Sequence, residues 1–112
     1  MAEAYSTFLG LGGAPGQAAG AAWVLRGGDN PDLPARRILV ARILHPHLAP
    51  LLLRALGVVV EEAALLQHAT TLAREFGVPA VLGLRQATEL FRNGDWLEID
   101  GATGTVTRRE SR

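Results

Sequence analysis

Of the 112 residues in this chain, His68 is the side chain best placed to do covalent chemistry. It follows the strand-like run Gly57-Val58-Val59-Val60 and stands at the start of an amphipathic stretch that Gly77 and Pro79 bring to an end. A neutral imidazole is a nucleophile, and an ordinary pKa of about 6.5 leaves histidine mostly neutral near pH 7. Beside the free N–H groups of a helix start, a ring nitrogen can accept a phosphoryl group. Those N–H groups and the positive end of the helix dipole stabilise the anion that forms. The other ring nitrogen needs a partner to fix its tautomer, and Thr71, one turn along, or a backbone carbonyl meets that need. Taken alone, a histidine at a helix start reads first as an inert, hydrogen-bonded residue, so its surroundings have to decide. Gln67 brings an amide donor next to it. Glu61 and Glu62 fall in the strand-to-helix loop, where a carboxylate either orients a donor or serves structure alone. At 100° per residue Arg74 points away from His68, and so reads as a phosphate contact or a solvated helix charge.

The elements that must position these residues follow from patterning. Leu65, Ala69, Leu72 and Phe76 form one stripe, which predicts a helix over 65–76 with Gly77 as its stop. Strands are expected at 21–25, 38–41, 58–60 and 80–82. A short helix is expected from Pro46 to about Leu56 and another over 86–91, with a turn at Asn93-Gly94. Segments 96–99 and 105–107 pair around Asp100-Gly101-Ala102-Thr103-Gly104, where Asp100 and Gly101 read as turn residues. Gly10 to Gly20 holds five glycines and Pro15, which predicts a loop; a second surface loop is expected over 27–34. Trp23 and Trp96 fall in strand-like segments, where core packing or a partner face suits them better than a cofactor site. The domain reading is a lead-in segment over 1–10, one domain over 11–107, and a solvated tail over 108–112. Strands separated by short helices make it α/β.

Composition narrows the chemistry. Apolar residues make up 48% against 20% charged, as in a packed globule, and the formal net charge is zero. No basic run argues for nucleic acid, and no apolar stretch is long enough for a membrane span. All 11 basic residues are arginine. With no lysine, Schiff-base chemistry and a lysine-bearing phosphate loop are excluded. With no cysteine, so are disulfides, thiolate metal sites and a cysteine nucleophile; a reducing, cytoplasmic location is expected.

Residues 61–83 resemble the phosphohistidine, or swivelling, domain of the phosphoenolpyruvate-utilising enzymes: pyruvate phosphate dikinase, phosphoenolpyruvate synthase and the rifampicin phosphotransferases. That domain typically reads Thr-Glu-x-Gly-Gly-x-x-Ser-His-Ala-Ala-x-x-Ala-Arg-Glu-x-Gly-Ile-Pro-Ala-Val-x-Gly. Gly13 to Gly20 resembles its opening motif, Arg37 to Ala41 and Pro46 to Pro50 its second strand and following loop, and Asp100 to Val106 its closing hairpin. The resemblance implies a swivelling β/β/α fold, with mixed sheet layers and a few short helices. It also implies a phosphocarrier in which His68 is charged by an ATP-grasp partner and delivers to an acceptor on another domain or subunit. Glu61 and Arg74 match motif positions. ATP and Mg2+ would then belong to the partner, with no cofactor on this chain, which would be a subunit or domain of a phosphotransferase and inactive alone. The chain departs from the motif at Ala63-Ala64 for Gly-Gly, at Leu66, at Gln67 for Ser, and at Leu44-His45 for Thr-Asp. Those departures support the alternative of an interaction or regulatory module that keeps the fold without phosphotransfer. Because the family's proline loop lies near its reactive histidine, His45, His47 and His68 form a minor candidate for a zinc-type site, although Pro46 limits their convergence.

Overall fold

The computed structural model describes residues 4–25, 36–43, 49–62, 71 and 73–110. Among these, the strands are β1 (Ala4–Leu9), β2 (Leu11–Ala14), β3 (Gln17–Val24), β4 (Arg37–Ala41), β5 (Ala55–Val60), β6 (Ala80–Leu82), β7 (Trp96–Asp100) and β8 (Thr105–Glu110). Two short helices are α1 (Ala49–Leu52) and α2 (Ala87–Leu90). The strands order as β1-β8-β7-β3-β4-β5-β6-β2. β3, β4, β5 and β6 run parallel, while β1, β8, β7 and β3 are antiparallel neighbours, and β2 closes antiparallel on β6. β3 belongs to both halves: residues 17–21 pair with β7 and residues 22–24 with β4.

The apolar run Ile38-Leu39-Val40 has no exposed side chain, as expected of a parallel strand covered on both faces. Alternation along the strands sends its side chains into two cores. Ile38, Val40, Val59 and Val81 pack with Leu97, Ile99 and Val106 of the antiparallel half and with Ala87 and Phe91. Leu39, Val58, Val60, Ala80 and Leu82 pack instead with Leu51 and Leu52 of α1 and with Ala73 and Val78. The parallel strands are therefore the middle layer, between an antiparallel layer and a helical one. This is the swivelling β/β/α arrangement.

Four expectations need correction. The helix expected to run to about Leu56 stops at Leu52, and the chain is already strand β5 from Ala55. Most of the segment read as a lead-in is β1, paired with β8 from Ala4↔Glu110 to Leu9↔Thr105. Its Phe8 ring meets Phe91 edge-on at 5.3 Å. Most of the expected tail completes β8: the Arg108 guanidinium lies over the rings of Phe8 and Phe91 and donates to the Leu90 carbonyl at 2.6 Å. Arginine in a tail-like sequence looks solvated, yet its stem and planar head cover aromatic surface well. The expected loop over 10–20 is instead β2 and the start of β3. Glycine is depleted in strands, but here a Cβ on Gly10 or Gly12 would press on the backbone oxygens of Leu82 or Ala102, and one on Gly13 on the Leu82 side chain. Trp23 is half-buried against the helical-side core, and Trp96 carries the Arg109 guanidinium over its ring at 5.3 Å. Among the described residues no helix is long and apolar enough to cross a membrane. The expected loop over 27–34 lies outside the described residues.

Candidate functional site

The site begins where the parallel strands end. β4 and β5 are neighbours whose ladder closes at Ala41↔Val60. It is prolonged by Glu61 N–H donating to the Ala41 carbonyl and Glu62 N–H to the Arg42 carbonyl, both at 3.0 Å. The chain therefore leaves two adjacent strands at one edge, the carboxyl edge at which open α/β sheets gather ligands. His45 and His47 follow β4 in sequence; Ala63-Ala64, Gln67 and His68 follow β5. All six lie outside the described residues, so the geometry available is that of the elements on either side. Among the described residues no cluster of three or more His, Cys, Asp or Glu side chains could hold a metal.

On the near side stands Glu61, half-buried. Its Oε2 accepts the backbone N–H of Thr88 at 2.7 Å and also the Thr88 hydroxyl. Glu62 is more exposed, with its carboxylate 4.0 Å from the Arg42 guanidinium. A surface pair of that length contributes little.

On the far side, residues 71 and 73–76 are helical, within the span that the apolar stripe predicts. The helix ends as that pattern implies. Gly77 takes φ +69°, and Val78 N–H closes the last turn on the Ala73 carbonyl at 2.8 Å. Ala73 and Val78 are buried and fasten this end to the core. Thr71, Arg74 and Glu75 are exposed. Arg74 lines a shallow cavity of about 300 Å³ with Ala14, Pro15, Ala73 and Val78, so the β2–β3 turn and the end of this helix share a wall.

That turn is braced by the β7–β8 hairpin. Gly101 N–H donates to the Gly16 carbonyl at 2.8 Å. A Cβ on Gly101 would lie 1.7 Å from the Ala14 carbonyl oxygen. The two glycine-rich segments thus interlock backbone to backbone. Asp100 organises the hairpin: Oδ2 accepts the Gln17 amide at 3.1 Å, and Oδ1 accepts Ala102 N–H at 2.9 Å and Thr103 N–H at 3.3 Å. The Gln17 amide first, and then these backbone N–H groups, hold its carboxyl below the ordinary value of 3.8.

Of the site residues named from sequence, Glu61, Thr71 and Arg74 are therefore described. Glu61 sits across from α2, whereas Thr71 and Arg74 belong to the far helix. Thr88 escaped the sequence reading. One signal for it existed: α2 has Gln86 where Ser, Thr, Asp or Asn usually caps a helix, which leaves its first N–H groups in need of an acceptor from elsewhere.

Comparisons with known proteins agree with this geometry. Residues 33–104 match the model of a family described as PEP-utilising enzyme, mobile domain. The chain is 41% identical over 100 residues to the chondramide synthase of Chondromyces crocatus, covering 88% of this chain and 3% of that protein. It is 33% identical over 105 residues to a probable phosphoenolpyruvate synthase of Pyrococcus abyssi, covering 93% of this chain and 13% of that one. The solution structure of Enzyme I superposes with a TM-score of 0.62 at 29% identity, over 69% of this chain and 32% of the other. The chain thus spans a small part of the curated relatives it matches.

Proposed function

The chain belongs to the mobile-domain family of the PEP-utilising enzymes, and from that premise we propose that it is a phosphocarrier. On this reading His68 takes a phosphoryl group from a nucleotide-binding ATP-grasp partner and delivers it to an acceptor on another domain or subunit. The observation that carries the reading is the family match across residues 33–104, which brackets His68, with Ala73-Arg74-Glu75 kept and Gly77-Val78-Pro79 differing only by valine for isoleucine. The anchored ends of β4 and β5 support it, because transfer of this kind depends on positioning and electrostatics more than on covalent help.

In the first step the unprotonated ring nitrogen of His68 attacks phosphorus. An N–P bond forms as the P–O bond to the nucleotide breaks, and the ring proton stays on the other nitrogen. In the second step an acceptor oxygen attacks, the N–P bond breaks, and its electron pair returns to the imidazole. ATP and Mg2+ are held by the partner, and the acceptor by a further domain or subunit.

The substitutions Ala63-Ala64 and Gln67 favour a second reading, an interaction module that no longer transfers phosphate. Losing two glycines removes the closest backbone approach to a phosphate. One experiment separates the two readings. The protein is mixed with its ATP-grasp partner and phosphate-labelled ATP. The carrier takes up acid-labile label, and the His68→Asn variant takes up none. A chain that stays unlabelled with an active partner, or a His68→Asn variant that still labels, refutes the carrier and leaves the module.

A further inference from the structure

Helix α2 begins without a side-chain cap of its own: Gln86 occupies the cap position in the left-handed region, φ 62° and ψ 22°, and makes no cap hydrogen bond. The free N–H groups of a helix start need acceptors. Here one comes from the end of β5, since a single Glu61 carboxylate oxygen takes both the N–H and the hydroxyl of Thr88. Beside it, Leu84 N–H donates to the Val60 carbonyl at 3.2 Å. The exit of β5 is thus tied to the Leu84–Thr88 segment by one backbone bond and two bonds to a carboxylate.

α2 is a firm support, because Ala87 and Phe91 are fully buried. Glu61 is consequently held twice, by its backbone on Ala41 and by its side chain on Thr88. Two residues later begins the stretch that carries His68. Hydrogen bonds to a carboxylate are among the stronger ones, and a glutamate on a loop otherwise keeps several rotamers.

We propose that Thr88 is a positioning residue for phosphoryl transfer: by clamping the Glu61 carboxylate it sets where the His68-bearing segment leaves β5. The inference rests on the phosphocarrier reading and adds to it a residue on another element.

The test compares wild type, Thr88→Val and Thr88→Ser in the full protein with its ATP-grasp partner. The readouts are single-turnover labelling and amide hydrogen exchange. Valine removes the hydroxyl and keeps the backbone N–H bond. Because small misplacements of a reacting group are costly, Thr88→Val slows labelling roughly tenfold at saturating partner. The partner concentration for half-maximal rate stays the same, and Thr88→Ser restores the rate. Exchange at the Glu61 and Glu62 amides quickens in Thr88→Val, while that at Leu39 and Val40 is unchanged. Glu61→Gln, isosteric and so able to fold, slows the same step. A Thr88→Val protein that labels at the wild-type rate overturns the positioning role, as does one whose rate serine fails to restore. Absence of label in wild type is a different failure: it removes the carrier reading and this role with it.

Discussion

Substituting Gly101 by alanine tests whether the glycine-rich segments serve backbone interlock. Gly101 does not occupy the left-handed region, so the added methyl carries no conformational strain and its whole effect is contact. The new Cβ would sit 1.7 Å from the Ala14 oxygen and 2.9 Å from the Ala80 nitrogen. To reach ordinary contact the β2–β3 turn must retreat by about 1.7 Å, an overpacking cost of about 1–3 kcal/mol. That retreat also breaks the Gly101–Gly16 bond, which contributes about 1 kcal/mol. The expected loss is therefore about 3 kcal/mol, a large part of the ~5–15 kcal/mol that holds a domain of this size, or roughly 15 °C in Tm. Urea unfolding followed by circular dichroism and by the fluorescence of Trp23 and Trp96 measures it. Gly77→Ala is the matched control: nothing lies within 4 Å of its Cβ, but φ is +69°, so it costs only the left-handed penalty of about 1 kcal/mol. If Gly101→Ala unfolds within about 0.5 kcal/mol of wild type, where ordinary surface changes fall, the interlock argument is wrong.

Phe91→Ala empties a fully buried site against Phe8 and beneath Arg108. It should cost about 3–5 kcal/mol in denaturant unfolding; a loss below 1 kcal/mol would contradict the packing. Deleting residues 1–9 removes β1 and bares β8, so the truncated chain should lose at least about 1 kcal/mol through the partly buried Phe8 alone and associate in light scattering. A fully stable, monodisperse truncation would restore the lead-in reading. Asp100 predicts an acid response. Its folded pKa is depressed, so its contribution is present above the unfolded value near 3.8 and is lost as pH falls through the lower folded value. Asp100→Asn should therefore flatten the decline of Tm below about pH 4 and leave that limb's neutral end unsloped; an unchanged acid limb would show that the hairpin does not sense this carboxyl.

How much of this was legible beforehand depended on how far apart the deciding residues lie. β4, β5 and β6 declare themselves as short apolar, largely β-branched runs. Gly77 and Pro79 announce a helix end and a strand start through backbone restrictions that act within a few residues. Asp100 to Gly104 reads as a turn for the same local reason. His68 was singled out by its motif, which lies within the stretch 33–104 matched by the family.

β1 gave no comparable signal. An edge strand is made by the neighbour it pairs with, and β8 lies about a hundred residues downstream. Within the glycine-rich 10–20 segment, Gly12 sits in a strand where the Gly101-Ala102 backbone leaves no room for a side chain, while Gly10 and Gly13 face Leu82. Thr88 is an unremarked helix residue until Glu61 arrives across 27 positions to cap it. The order of residues alone thus determined which segments are buried strands and where the chain turns, since both follow from chemistry within a few bonds, and it marked one imidazole as the candidate through the motif around it. Only the tertiary structure decided which strand covers an edge, which glycines are close contacts and which carboxylate completes a helix, because those depend on groups that meet in space after the chain has folded.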